Sequence, residues 1–118
     1  MTIKFYAYPK CATCKKAQTL LNKKGRAYEA IDITLKPPTL AELRAMLQLV
    51  GGELKRLFNT SGQVYRDMRL RERLGELSAV EALRLLADNG KLIKRPCLII
   101  DGKAAAVGFD PKAWSELL

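Results

Sequence analysis

Pro9-Lys10-Cys11-Ala12-Thr13-Cys14-Lys15-Lys16 is the stretch around which the rest of the chain is read. Ahead of it, Thr2–Tyr8 alternates: Ile3, Phe5 and Ala7 share one face and Tyr6 and Tyr8 the other, as in a β-strand. Behind it, Cys14, Ala17, Leu20 and Leu21 recur at helical spacing until Gly25 supplies a stop. Cys11 therefore falls at or just before a helix N-terminus, where unpaired N–H groups and the helix dipole favour an anion. Lys10, Lys15 and Lys16 add positive charge, and such surroundings favour thiolate over thiol. Cys14, one turn later, is spaced to attack a mixed disulfide on Cys11. A Cys-x-x-Cys that opens the helix of a β-α-β unit reads as a redox pair. A metal site is not expected: structural zinc needs four ligands, and the chain holds three cysteines and no histidine. The same lack of histidine removes Ser-His and Cys-His catalysis.

The length, 118 residues, predicts a single domain over 1–118 with a real core. No apolar run approaches membrane length, and the N-terminus lacks the charged-apolar-small pattern of a signal peptide. The expected location is cytoplasmic, where a disulfide is transient and chemical rather than structural. The net charge is +9; residues 1–60 hold eleven Lys/Arg against four Asp/Glu, and residues 61–118 ten against eight. The excess sits in the half with the cysteine pair. It suits anionic small molecules or an acidic protein surface. Direct nucleic-acid binding is not expected, because no basic-plus-aromatic motif accompanies the charge.

Further along, Arg26–Ile33 reads as a second strand that closes a β-α-β unit. Pro37-Pro38 breaks the chain. Thr39-x-x-Glu42 then forms a capping box before the apolar stripe Leu40, Leu43, Met46, Leu47 and Val50, which Gly51-Gly52 ends. Glu53–Phe58 predicts a short helix and Val64–Leu74 another, with an Asp67–Arg71 pair one turn apart. Arg66, Arg69, Arg71 and Arg73 read mainly as a solvated face. Ser78-x-x-Glu81 is a second capping box, followed by Val80, Leu83, Leu85, Leu86 and Ala87 as the apolar positions and by Asn89-Gly90 as the stop. Residues 39–89 are thus a helical block between two β segments. After it come the strand Leu98–Ile100, the tight-turn pair Asp101-Gly102, a returning strand Ala104–Val107, and a last helix. Asp110-Pro111 starts that helix, with Trp114, Leu117 and Leu118 inward.

This order resembles a thioredoxin-like α/β fold: a mixed central sheet, β-α-β then β-β-α, with a helical insertion at about residues 39–89. In such folds a cis-proline stands opposite the cysteine pair, and Pro96 holds that place. Cys97, in an apolar strand, reads as a small buried hydrophobe.

The chain also resembles the arsenate reductase–like family, which includes Spx-type transcriptional regulators. The matching pieces are Cys11-Ala12-Thr13-Cys14-Lys15-Lys16-Ala17, Leu57-Phe58-Asn59-Thr60-Ser61-Gly62, Val64-Tyr65-Arg66, Leu92-Ile93-Lys94-Arg95-Pro96 and Val107-Gly108-Phe109. In arsenate reductases of this family, the resemblance implies, the cysteine at the place of Cys11 attacks arsenate, and glutathione and glutaredoxin resolve the adduct. Three arginines hold the oxyanion, because guanidinium forks match tetrahedral oxyanions. Arg95 matches one; the other two places fall near Asn59 and Phe109. Spx-type regulators carry a similar Cys-x-x-Cys as a redox switch and bind the RNA polymerase α subunit. Here Gly52 is shared, whereas the arginine near Ser61 and a basic extension beyond Leu118 are not.

The leading expectation is a thiol–disulfide oxidoreductase with Cys11 as nucleophile and Cys14 as resolving thiol. Lys10, Arg95 and Pro96 are the substrate-binding candidates. No bound cofactor is expected; glutathione, or a glutaredoxin or thioredoxin, supplies electrons. The substrate is a small thiol, oxyanion or disulfide, and the chain acts as a monomer. The alternative is a Spx-like redox sensor on RNA polymerase.

Overall fold

β1 (Ile3–Ala7) runs through the middle of a four-stranded sheet in a computed structural model that describes residues 1–118. Its alternating side chains are buried on both faces. Ile3 and Phe5 pack with Ala17, Leu21, Leu98 and Trp114, while Tyr6 packs on the other side with Ile31, Ile33, Leu43 and Cys97. The strand order is β2-β1-β3-β4. β2 (Glu29–Asp32) is parallel to β1; β3 (Cys97–Ile100) is antiparallel to β1, and β4 (Lys103–Val107) is antiparallel to β3. Asp101 and Gly102, at φ 51° and 78°, make the tight β3–β4 turn that the Asp-Gly pair predicts.

α1 (Ala12–Lys23) and α6 (Pro111–Leu117) cover one face of the sheet. Asp110 caps α6 by accepting the Lys112 N–H. The other face is covered by residues 39–89, which include α2 (Leu40–Leu49) and α5 (Ala79–Asp88). This is the thioredoxin-like arrangement with its helical insertion. No helix is long and apolar enough to cross a membrane.

Both capping boxes form. In the first, Glu42 does more than cap. Its Oε1 accepts the Thr39 N–H and the Tyr6 hydroxyl, each at 2.9 Å, and its Oε2 meets Lys4 Nζ at 3.2 Å. One carboxylate thereby ties α2 to β1. Burial raises that carboxyl, but the hydrogen bonds from Thr39, Tyr6 and Lys4 outweigh it and hold it below its ordinary range. Burial first, and then the bond to Glu42, keep the Tyr6 phenol protonated above its usual range.

The short helix expected at Glu53–Phe58 forms as a 3-10 turn, Leu54–Leu57. Two expectations need correction. Val64–Leu74 is not one helix: α3 (Gln63–Asp67) and α4 (Leu70–Arg73) are separated at Arg69, which is left-handed at φ 55°, ψ 38°. The reason is burial. Tyr65 and Leu70 both enter the core, yet on a straight helix they would point about 140° apart. The break also removes the Asp67–Arg71 pair; Asp67 instead accepts Gln63 Nε2 at 2.7 Å. Finally, Val80 and Leu117 are 61% and 39% exposed rather than inward. α5 buries Ala82, Leu83 and Leu86, a face about 110° from Val80, and α6 buries Trp114 alone.

Candidate active site

The link between β1 and α1 is a tight turn closed by the Cys11 N–H on the Tyr8 carbonyl at 3.1 Å. Pro9 stands where a proline pre-sets the backbone of such a turn. The turn delivers Cys11 as the N-cap of α1, and its Sγ accepts the Cys14 N–H at 3.2 Å. A sulfur that carries negative charge accepts such a bond more strongly than a neutral thiol, and no acidic residue in the first turn opposes it.

Cys14 sits differently. It is 3% exposed and packs into the inner face of α1. Burial pushes its thiol up to about 12, and the hydrogen bond with Cys11 acts in the same direction; Arg95 works weakly against both. Both cysteines are free thiols. The pair is therefore unequal: one sulfur at the surface on the helix end, the other one turn behind it and held neutral.

In front of Cys11 lies a cleft of about 420 Å³, with Thr13 beside it. Asn59, Ser61 and Gly62, from the loop before α3, line it together with Lys94 and Arg95, before β3, and Gly108 and Phe109, after β4. The Arg95 guanidinium lies 4.8 Å from the centre of the Tyr8 ring, and its Nη1 donates to the Lys91 carbonyl at 3.4 Å. The Arg95–Pro96 peptide is cis, as the fold position predicts. Pro96 is buried, and its carbonyl accepts the Gly108 N–H at 2.8 Å, which joins the start of β3 to the end of β4.

Of the candidate residues, the structure brings Cys11 and Arg95 to one cleft, with Cys14 behind Cys11. Lys10 is exposed in the turn and does not line the cleft. Cys97 is wholly buried and donates from Sγ to the Lys94 carbonyl at 2.9 Å; burial pushes its thiol up to about 12. No three His, Cys, Asp or Glu side chains converge anywhere in the chain as a metal site would require.

Two residues of the site carry no sequence signal as functional. Tyr8 reads only as the end of a strand, yet its ring seats Arg95. Lys94 stands in the sequence only within the matching stretch Leu92-Ile93-Lys94-Arg95-Pro96, with no role assigned to it, yet it lines the cleft. A trace of it existed in Gly108: at φ 79°, a Cβ there would stand 2.9 Å from Lys94 Cε, so the glycine makes room for the lysine stem.

A dithiol at the N-terminus of the first helix, set against a mixed four-stranded sheet, places the molecule among thioredoxin-like proteins of the Cys-x-x-Cys type. More narrowly, the chain belongs to the ArsC family, whose model matches residues 6–117. It is 45% identical to YusI of Bacillus subtilis over 98% of both chains. A crystal structure described as a possible arsenate reductase from Streptococcus mutans is 45% identical, with a TM-score of 0.90, over 98% of this chain and 96% of that one. The regulatory protein MgsR of Bacillus subtilis is 28% identical over 91% of this chain and 82% of its own length. Family membership thus spans reductase-type and regulator-type relatives.

Proposed function

We propose that the protein is a thiol–disulfide oxidoreductase in which Cys11 attacks and Cys14 resolves. The observation that carries this reading is the inequality of the two thiols: Cys11 caps α1 at the mouth of a cleft, and Cys14 is buried one turn behind. In the first step Cys11 attacks one sulfur of a disulfide, a Cys11 mixed disulfide forms, and the other sulfur leaves as a thiolate. Cys14 then attacks Cys11; its proton goes to the second leaving thiolate, and an internal disulfide remains. Glutathione, a glutaredoxin or a thioredoxin returns two electrons to that disulfide. Arg95, parked on Tyr8, steadies an anionic group of the substrate, Lys10 adds charge at the turn, and Pro96 shapes the adjoining backbone.

The cleft favours a disulfide over arsenate. A tetrahedral dianion asks for several guanidinium forks, and the cleft offers one, Arg95, with Asn59 and Phe109 on its other sides. Assay of wild type, Cys11→Ser and Cys14→Ser with glutathione and glutaredoxin, on arsenate and a small disulfide in parallel, tests this. Turnover of the disulfide that needs Cys11, with Cys14→Ser accumulating mixed disulfides, is the expected result. Full activity in Cys11→Ser would overturn it.

The likeness to MgsR, a regulatory protein, supports a second reading: a redox-sensing regulator which, as the resemblance to Spx-type regulators implies, binds the RNA polymerase α subunit. Pull-down with the α C-terminal domain, reduced against oxidised, separates the two.

A further inference from the structure

The Cys11 cleft does not end at Lys94. That side chain also lines a second hollow of about 360 Å³, where Lys55, Arg56 and Thr60 join it. Thr60 in turn borders a third, of about 310 Å³, around Arg66, Arg69 and Arg71. Lys94 and Thr60 thus link the three hollows in series, from the thiol to the helical insertion, and together they are taken as one groove. Seven Lys and Arg side chains line it against a single carboxylate, Glu72, which is already paired with Arg69 at 3.5 Å.

The backbone explains how three arginines come to one hollow. On an unbroken helix Arg69 and Arg71 would point about 160° apart. The left-handed turn at Arg69 breaks that helix, and both side chains line the same hollow. The feature that defeats a simple helical reading of 64–74 is thus the one that assembles the far end of the groove.

We infer that this groove is a docking surface for an acidic polypeptide segment, which it holds so that a disulfide of the same partner reaches Cys11. The inference rests on the oxidoreductase reading and names its substrate class. Charge complementarity argues for an acidic partner. Chemistry argues for a polypeptide: the groove ends at a thiol, and a nucleic acid brings no disulfide. Of the three aromatic rings along it, Phe58 and Tyr65 are buried at 1% and 5% exposure, and Phe109 alone, at the thiol end, is partly exposed, so there is no run of stacking platforms for successive bases.

The test uses two short synthetic peptides, each with one cysteine as its thionitrobenzoate mixed disulfide. One carries a run of Glu and Asp, the other Ser and Gln. Cys11 attacks the peptide sulfur, the S–S bond breaks, and coloured thionitrobenzoate leaves with the electron pair; Cys14 then frees the peptide thiol. At low salt the acidic peptide should react at least about tenfold faster than the neutral one, and the ratio should fall towards one in about half-molar salt. Arg69→Gly/Arg71→Gln should lower the ratio as well; glycine accepts the left-handed backbone, so this variant retains the turn. A Lys55→Gln/Arg56→Gln pair provides a second variant at the middle of the groove.

Equal rates for the two peptides at low salt would overturn the inference while leaving the oxidoreductase reading intact. So would tighter binding of a single-stranded oligonucleotide than of the acidic peptide, measured by fluorescence anisotropy. Failure of either peptide, and of a small aromatic disulfide, to react at Cys11 would instead overturn the oxidoreductase reading.

Discussion

Brief alkylation at pH 8 should mark one cysteine of the three in the folded protein and all three in urea. An ordinary thiol, at 9.0, is about one-tenth ionised at that pH; one held at about 12 is ionised to about one part in ten thousand. Since only the thiolate attacks iodoacetamide, ionisation alone slows Cys14 and Cys97 about a thousandfold relative to an ordinary cysteine. Exclusion adds to this, because Cys14 is 3% and Cys97 0% exposed, whereas Cys11 opens onto the cleft. Peptide mass spectrometry after a short exposure reads the sites directly. Cys11→Ser supplies the sharper arm: folded, it should take up no label at all. Labelling of Cys14 or Cys97 within about tenfold of the Cys11 rate would refute the unequal pair on which the mechanism depends.

Three further outcomes follow from the packing. Gly90→Ala should destabilise by about 3 kcal/mol or more, read as a fall in urea midpoint, because its Cβ would lie 1.8 Å from the Ile33 carbonyl oxygen, against backbone that has nowhere to go. Cys97 should make stability fall in alkali. The unfolded thiol ionises above about 9 while the folded one stays protonated to about 12, so the unfolded state binds fewer protons across that window; relative to Cys97→Ala, wild type should lose about 2 kcal/mol more between pH 7 and 10.5. Glu42→Ala should cost about 1–2 kcal/mol through the lost cap and the lost tie to Tyr6 and Lys4. Because the folded Glu42 carboxyl is held low, its contribution is present above about pH 4.5 and disappears as pH falls, so the variant should show a shallower acid decline in thermal melts.

The elements read correctly from sequence are those set by neighbours in the chain. Thr39–Glu42, Ser78–Glu81, Asp101-Gly102 and Asp110-Pro111 each satisfy their own backbone groups within a few residues, so their geometry follows from spacing. Residues 64–74 fail for the opposite reason. Their helical pattern is real locally, but Tyr65 and Leu70 are both drawn into a core built by β1, β2, α2 and α5, and that demand overrides propensity at Arg69.

The site divides along the same line. The cysteine pair is legible because its chemistry needs only a strand, a turn and the first turn of a helix. The opposite wall is assembled by pairing between distant segments: the Asn59 N–H on the Leu92 carbonyl at 2.7 Å, the Lys94 N–H on the Leu57 carbonyl at 2.8 Å, and the Gly108 N–H on the Pro96 carbonyl. Spacing within the sequence carries no information on such contacts. What it does retain is the glycine each approach requires. Gly108 clears the Lys94 stem, and Gly62 clears the Asn59 amide, which would stand 2.6 Å from a Cβ. Both glycines lie on the cleft wall. Where two lysine- and asparagine-bearing loops must close on a thiol, the residues that record the closure are the ones with no side chain, and they are the positions at which alanine should alter the shape of the cleft before it alters the fold.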